Sequence, residues 1–308
     1  MRVAAIDCGT NSIRLLIADI HNGQLTDVVR TMIIVRLGEG VDKTGEFSQG
    51  ALDRTFAAVD VYAELIAAHK PEVVRFVATS ASRDVSNRDV FFSGIKGRLG
   101  IEPDVISGDE EARLSFLGAT ADLVNDLHSP TAPFLVIDIG GGSTEFVLGT
   151  SAPDSAISTN VGCVRMTERH LVSDPPTSEQ IAAATADIDE AIHLAQESVP
   201  LAQAASLIGL AGSVTTVAAL ALGLDAYDPT KIHGSRISAA QVHNVTADLL
   251  AMPRAQRAEL GPMHEGRVDV IGGGALVLDR ILTLTGIPEV VVSERDILDG
   301  IARALTGQ

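Results

Sequence analysis

The chain has 308 residues, which is more than one hydrophobic core comfortably holds and predicts two domains. It carries 23 basic and 40 acidic residues, for a net charge of −17, so it lacks the basic tract that a nucleic-acid groove needs and no nucleic acid is expected as a partner. Two cysteines give no disulfide framework, and the first residues do not resemble a secretion signal, which predicts a reduced, cytoplasmic compartment.

The N-terminal segment predicts a strand, a turn and a second strand. Residues 2–6 are a mostly apolar strand that leads into Asp7, and the turn that follows contains Gly9, Thr10, Asn11 and Ser12. The second strand is expected at residues 13–20 and carries Arg14, and a third strand at 24–37 is expected to pair back on it.

A helix at residues 51–69 and a strand at 73–78 lead into a segment of small hydroxylic residues that ends in Arg83. The carboxyl end of a parallel strand is where α/β folds bind ligands, so Arg83 is a candidate for holding a phosphate oxygen. Arg83 could equally form an ion pair with Asp84 or Asp89, and it would then have no role in binding phosphate.

Three acidic residues, Asp109, Glu110 and Glu111, open the next predicted helix. Acids in a first turn are favoured by the helix dipole, which explains one or two of them without any function. A carboxylate that faces a cleft would need another explanation.

The segment 122–132 is the one convincing linker in the sequence, and it lies between the two halves of the chain.

The central stretch, residues 134–149, is the strongest functional motif. An apolar strand at 134–137 ends in Asp138, and a second apolar run carries Glu145. The glycines of the intervening turn let the backbone take positive φ and come close to a ligand without a Cβ in the way, so that consecutive N–H groups could converge on a phosphate oxygen. This turn comprises Gly140, Gly141, Gly142 and Ser143. Two carboxylates beside a phosphate site predict Mg²⁺, and a plain Gly-rich hairpin is the alternative.

The central stretch repeats the N-terminal segment at a constant offset of 131 residues. Asp7 then aligns with Asp138, and Arg14 with Glu145. This repeat predicts two similar domains that face each other across a cleft, with a cation on one wall and a metal-binding acid on the other. Asp7 is accordingly a third candidate metal ligand.

The later residues predict a second Gly/Ser site, where a strand at 206–212 runs into a helix at Gly212 and Ser213; close strand–helix packing is the alternative. The uncharged segment 207–224 approaches the length of a membrane span, but its internal Gly-Ser and Thr-Thr predict a strand, a turn and a helix. His233 and His264 have no metal-ligand spacing and are expected to be structural. Further strands are expected at 156–161 and 290–292, a turn at 162–165, and helices at 177–198, 238–251, 254–260, 267–284 and 295–305.

These motifs resemble the Ppx/GppA family of exopolyphosphatases and guanosine pentaphosphate phosphohydrolases, within the acetate and sugar kinase, Hsp70 and actin superfamily. The resemblance covers nearly the whole chain and rests on IDCGTNSIRLLIAD at 6–19, ATSASRD at 78–84, ISGDEEARLSFLG at 106–118, VIDIGGGSTEFVLG at 136–149, NVGCVRMTE at 160–168 and GLAGSVTTVAAL at 209–220. It implies two ribonuclease H-like α/β domains, each with a mixed five-stranded sheet flanked by helices and with the active-site cleft between them. The first domain would comprise residues 1–125 plus 294–308 and the second 126–293.

The resemblance also implies magnesium-dependent removal of terminal phosphate from inorganic polyphosphate or from pppGpp, the stringent-response nucleotide. Glu111 would be the general base, with Glu110 as the fallback because adjacent helical residues point about 100° apart. Asp138 and Glu145 would hold the metal and position water, the two Gly/Ser turns would bind phosphate, and Arg14 and Arg83 would contact phosphates. Mn²⁺ and a monovalent cation such as K⁺ are further candidate cofactors.

Polyphosphate is favoured over pppGpp because 3% aromatic content is poor material for stacking a base, and short chains are favoured by the acidic net charge. The alternatives are a non-catalytic sensor of guanosine polyphosphates, for which ppGpp would be a ligand, and a kinase of the wider superfamily. No GxxxxGK[ST] motif occurs, which excludes a P-loop mechanism. Apolar residues on the late helices make a homodimer the expected assembly.

Overall fold

The computed structural model describes residues 1–83, 85–123 and 130–305, without the side chains of residues 122 and 123. Two compact units divide the chain: Met1–Gly118 with the residues from Ile297 onward, and Ala119–Asp296. The expected domain boundary between residues 125 and 126, and most of the expected linker, lie outside the described residues.

The first unit contains five strands and five helices among its described residues. In chain order these are β1 (Arg2–Cys8), β2 (Ser12–His21), β3 (Gln24–Ile34), α1 (Val41–Thr44), α2 (Gln49–His69), β4 (Val73–Ala78), α3 (Arg88–Leu99), β5 (Asp104–Val105), α4 (Gly108–Leu123), which continues past the unit boundary, and a C-terminal helix at Ile297–Ala304.

The sheet of the first unit has the strand order β3-β2-β1-β4-β5. β1 to β3 pair antiparallel as a meander, whereas β4 and β5 run parallel to β1. Alternate residues of β1 enter different cores, because side chains of a strand point to opposite faces. Ala4 and Ile6 pack with α2 and α3, while Val3 and Ala5 pack with the C-terminal helix. The sheet is therefore buried on both faces.

The second unit contains a six-stranded sheet. Its elements in chain order are β6 (Phe134–Ile139), β7 (Thr144–Gly149), β8 (Pro153–Thr159), α5 (Cys163–Arg169), α6 (Ser178–Ser198), β9 (Ser206–Leu210), α7 (Ala211–Ala221), α8 (Pro229–Ile232), β10 (Arg236–Ser238), α9 (Ala239–Ala251), α10 (Arg254–Ala258), α11 (Ile271–Thr285) and β11 (Glu289–Val292); the C-terminal helix of the first unit is α12.

The second sheet has the order β10-β11-β9-β6-β7-β8 and repeats the antiparallel meander and the parallel crossover of the first. The predicted α/β class with two mixed sheets is confirmed. The second sheet departs from the expected five strands, since the short strand β10 pairs with β11 at its edge. Residues 162–165, expected as a turn, begin helix α5 at Cys163, and the helix expected from residue 267 starts at Ile271.

Two helices of the second unit begin with the capping box that their sequences encode. Thr177 at the start of α6 accepts from the main-chain N–H of Gln180, whose side chain accepts from the N–H of Thr177. Ser238 and Gln241 make the same reciprocal pair at the start of α9. Each pair satisfies two N–H groups that a helix start leaves without partners, so both helices begin at defined positions.

Candidate active site

A pair of buried carboxylates lies at the end of the β6–β7 hairpin. Asp138 and Glu145 occupy directly opposite positions in the antiparallel register, which places both side chains on the same face of the sheet. Asp138 is 6% exposed and Glu145 is 1% exposed. Like charges directly opposite each other destabilise a sheet, and two neighbouring carboxylates are candidate ligands for a cation.

The carbonyl groups of the turn after β6 point toward helix α5. Gly140 O accepts from Cys163 N at 2.9 Å, Gly141 O from Val164 N at 2.9 Å and Arg165 N at 3.1 Å, and Gly142 O from Arg165 Nε at 2.7 Å. A trans peptide unit directs its N–H opposite to its C=O. The N–H groups of Gly141, Gly142 and Ser143 therefore point away from α5, a row of donors suited to an anion.

Glycine was expected in this turn for two reasons, positive φ and close approach. The glycines with positive φ in the described chain lie elsewhere, so Gly140, Gly141 and Gly142 do not use that conformation. Close approach is the requirement at the neighbouring Gly162. A Cβ on Gly162 would come within 2.6 Å of the Gly141 carbonyl, so a side chain there would push α5 off the turn. The N–H of Gly140 is also used within the turn, where it donates to Ser143 O at 3.0 Å.

The residues of the second unit suit a hard divalent cation. No cluster of three or more metal-binding side chains occurs among the described residues. Mg²⁺ commonly takes only one or two carboxylates and completes its shell with water and substrate phosphates. Asp138 and Glu145, two oxygen donors beside a row of N–H groups, match that requirement.

The corresponding turn in the first unit has the same main-chain hydrogen bond. Gly9 N donates to Ser12 O at 3.0 Å, as Gly140 N does to Ser143 O. The hydroxyl of Thr10 lies 3.0 Å from that of Ser80. Asn11 Oδ1 and Ser82 Oγ, which follow in the same two segments, are buried and have no hydrogen-bond partner within the described residues. This side of the first unit thus offers polar atoms for a ligand or water.

In the hairpin of the first unit, Asp7 and Arg14 stand opposite each other as Asp138 and Glu145 do in the second unit. These two residues form an ion pair. Arg14 donates to Asp7 Oδ2 from Nη2 at 2.5 Å and from Nε at 2.9 Å. Asp7 is 4% exposed, so this guanidinium compensates a buried charge. This ion pair uses Asp7 Oδ2 and part of the Arg14 guanidinium. Asp7 as a metal ligand and Arg14 as a phosphate contact stay predictions.

Glu111 and Arg83, predicted separately, contact each other in the first unit. Arg83 Nη2 donates to Glu111 Oε2, and Arg83 Nε donates to Ile106 O at 3.1 Å. Glu111 is 8% exposed. Of the two acids in the structural alternative for Arg83, Asp84 lies outside the described residues, so the ion pair with Asp84 or Asp89 stays open beside this contact.

The neighbouring acid Glu110 has a different environment. Its side chain is 43% exposed and accepts from Arg75 at 2.7 Å. Of the two adjacent acids, only Glu111 is buried beside a predicted phosphate-contacting arginine, which favours it over Glu110 as a general base.

Gly212 and Ser213 lie in the first turn of α7, and Gly212 packs against the side chain of Arg267. A Cβ on Gly212 would overlap the guanidinium group of Arg267, which also donates to Thr216 Oγ1 at 3.2 Å. The Ser213 hydroxyl packs against Gly274, so the main-chain N–H groups are the atoms with which Gly212 and Ser213 could contact a ligand. The sequence reasoning missed Arg267, because only the long-range packing brings it to this helix start.

Both cysteines are buried, and the pKa of each thiol lies above its ordinary value. Burial raises the pKa of Cys163, and burial followed by the charge of Asp7 raises the pKa of Cys8. Two histidines have structural contacts, as expected: the main-chain N–H of Glu294 donates to His233, and that of Gly266 donates to His264. Burial, followed by the charge of Arg267, lowers the pKa of His264, so it stays neutral to lower pH than an ordinary histidine.

Residues 207–224 form strand β9 and helix α7 with the turn that follows. Within the part of the chain that the structure describes, no helix combines the length and the apolar character that a membrane crossing demands.

Comparison with known proteins identifies the family. The model of the Ppx/GppA phosphatase family matches residues 16–304. Exopolyphosphatase 2 of Mycobacterium tuberculosis is 51% identical over 319 residues, which cover 99% of each chain. A guanosine-5'-triphosphate,3'-diphosphate pyrophosphatase of Pseudoalteromonas atlantica is 36% identical over 182 residues, covering 59% of this chain and 35% of that protein.

A crystal structure of an exopolyphosphatase-like protein is 46% identical, covers 98% of each chain and gives a TM-score of 0.94. That of the Aquifex aeolicus family member is 29% identical, covers 99% of this chain and 97% of that one, and gives a TM-score of 0.81. The predicted family and fold class are thereby confirmed: the chain belongs to the Ppx/GppA phosphatase family.

Proposed function

We propose that this chain is an exopolyphosphatase that removes the terminal phosphate of inorganic polyphosphate by attack of water. The similarity to an exopolyphosphatase along nearly its whole length supports the substrate class. One structural observation carries the chemistry: the turn after β6 directs the N–H groups of Gly141, Gly142 and Ser143 away from α5, next to the buried acids Asp138 and Glu145.

Each part of this arrangement has a task in phosphoryl transfer. The three N–H groups would bind the oxygens of the terminal phosphate, where charge has to be neutralised. Asp138 and Glu145 would hold a divalent cation, Mg²⁺ or Mn²⁺, which supplies positive charge to the phosphate oxygens when bound. The requirement for a monovalent cation such as K⁺ stays a prediction.

Glu111 is the proposed general base. Its carboxylate would take one proton from the attacking water while the water oxygen bonds to the terminal phosphorus. The bond from that phosphorus to the bridging oxygen breaks, and its electron pair stays with the shortened chain. Arg83, which contacts Glu111, would orient this carboxylate, and its guanidinium could also donate to a phosphate oxygen.

Short chains are the proposed substrates. The net charge of −17 and the lack of a basic tract leave a long polyanion with little to bind outside the site itself. A short chain places most of its phosphates within reach of the cation and the N–H groups. Equal or faster turnover of chains of hundreds of units would contradict this part of the proposal.

Hydrolysis of pppGpp is the second candidate function. The 36% identity to a guanosine-5'-triphosphate,3'-diphosphate pyrophosphatase favours it, since the bond broken would also be a phosphoanhydride. Aromatic residues make up only 3% of the chain, with two tyrosines and no tryptophan, which is poor material for stacking a guanine base and favours polyphosphate.

A phosphate-release assay with Mg²⁺ on polyphosphates of defined length, with pppGpp in parallel, tests the proposal. Release from short polyphosphate is the expected result. Release from pppGpp alone would favour the second function. Binding of ppGpp without any turnover would indicate a sensor, and formation of ATP from added ADP would indicate a kinase. Sedimentation of the same preparation would test the expected homodimer.

A further inference from the structure

We propose that Ser158 is a positioning residue that fixes the carboxylate of Glu145 for the divalent cation, an inference that rests on the proposed function. The three strands β6, β7 and β8 place Asp138, Glu145 and Ser158 in one row across the sheet. Directly paired residues of antiparallel strands project to the same face, so the three side chains are neighbours.

The contact between Ser158 and Glu145 is short and has one possible direction. Ser158 Oγ lies 2.7 Å from Glu145 Oε1. An ionised carboxylate can only accept, so the serine hydroxyl is the donor. Hydrogen bonds from a hydroxyl to a carboxylate are among the stronger ones in proteins. This bond restrains the position of Oε1 and so the rotation of the Glu145 carboxylate.

The internal repeat shows that this donor is specific to the acid pair. In the first unit the corresponding row consists of Asp7, Arg14 and Met32. The side chain of methionine has no hydrogen-bond donor, and Arg14 is held by its ion pair with Asp7. The row that contains Glu145 therefore has a serine hydroxyl beside the acid, and the row that contains Arg14 has none at that position.

A fixed carboxylate matters because Glu145 faces a second negative charge. Repulsion from Asp138 favours rotation of Glu145 away from the position in which both acids could contact one cation. Carboxylates that bind metals are commonly held by such hydrogen bonds, and removal of the outer partner typically costs about 10- to 100-fold in metal affinity or activity. Ser158 therefore acts on the cation through Glu145 and not by direct contact.

The same strand supplies a matched control. Ser155 lies three residues before Ser158 and pairs with Leu148, so its side chain points to the opposite face of the sheet. Its Oγ is buried and has no hydrogen-bond partner among the described residues. Ser155→Ala removes the same hydroxyl from the same strand without touching the row.

The test is a calorimetric titration of the substrate-free protein with Mg²⁺ or Mn²⁺, together with melting temperatures, for the wild type, Ser158→Ala, Ser158→Thr and Ser155→Ala. Ser158→Ala should weaken metal binding about tenfold. Ser158→Thr, which keeps the hydroxyl, should restore most of the affinity, and Ser155→Ala should match the wild type. At saturating Mg²⁺ the phosphate-release rate of Ser158→Ala should recover toward the wild-type rate.

Two failures are distinguishable. Equal metal affinity in Ser158→Ala and Ser155→Ala, in a wild type that binds the metal and releases phosphate, would overturn the role of Ser158 alone. A lower melting temperature with unchanged metal affinity would assign the hydroxyl a purely structural role and overturn it too. A wild type that neither binds the metal nor releases phosphate would overturn the proposed function itself.

Discussion

Asp138 and Glu145 face each other directly across two antiparallel strands, and both are almost completely buried. At the same register position in the first unit, Asp7 faces Arg14 and the two form an ion pair. One duplicated hairpin has thus been specialised in two ways. One copy pairs its acid with an arginine, while the other places two acids opposite each other.

This difference predicts how magnesium affects stability. Mg²⁺ should raise the melting temperature of the wild type by about 5 °C at saturation, because a ligand of the folded state stabilises it. Glu145→Gln should lose most of that gain and, without Mg²⁺, should melt no lower than the wild type, because the repulsion is removed. Differential scanning calorimetry measures both values. Asp154→Asn, an exposed acid on β8, is the control and should respond to Mg²⁺ like the wild type.

The general base is tested by two adjacent acids. Glu111→Gln should lower the phosphate-release rate by at least about 100-fold, because glutamine cannot take a proton from water, while substrate binding should persist. Glu110→Gln should stay within a fewfold of the wild type, since Glu110 is half-exposed and bound to Arg75. Steady-state rates and equilibrium binding of a short polyphosphate supply the comparison. Near-normal turnover in Glu111→Gln would show that the base is misassigned.

Much of the fold could be predicted because the pattern is local and occurs twice. Apolar strands that end in an acid and a Gly/Ser turn predict both hairpins, and the constant offset of the repeat correctly pairs Asp7 with Asp138 and Arg14 with Glu145. Strand β10 was missed because three residues are too few to show an alternating pattern.

The contacts of the site could be predicted only in part. Arg83 and Glu111 are 28 residues apart in sequence, and Arg267 reaches Thr216 across 51 residues, so no local pattern encodes either contact. The three glycines were found, although they do not take the positive φ that glycine allows. Their neighbour Gly162, whose close contact with the turn brings α5 to the carbonyls, belongs to a different motif and has no sequence signal of its own.

Gly162 should be sensitive to the smallest side chain. Gly162→Ala places a methyl group within 2.6 Å of the Gly141 carbonyl, which should displace the turn and lower the phosphate-release rate by at least about tenfold. Gly97→Ala is the control, because its Cβ would meet nothing within 4 Å in helix α3. That variant should keep full activity and gain about 0.5–1 kcal/mol in the free energy of unfolding. Unchanged activity in Gly162→Ala would argue against the close packing of the turn.

The two thiols should be inert in the folded protein. Both are buried, and burial raises the pKa of each, so little thiolate is present near pH 8. A disulfide reagent such as DTNB should therefore detect almost no thiol in the native chain and two per chain after denaturation. Rapid reaction of one native thiol would contradict the packing of Cys163 against the turn or of Cys8 in the first core.

The most direct test of the account is the fate of the water oxygen when short polyphosphate is hydrolysed in ¹⁸O-labelled water with Mg²⁺. Attack of water on the terminal phosphorus should put one labelled oxygen into each released orthophosphate, and Glu111→Gln should release almost none. Orthophosphate without the label, with the oxygen found in the remaining chain, would contradict attack at the terminal phosphorus. The same labelling at an undiminished rate in Glu111→Gln would contradict the assigned base.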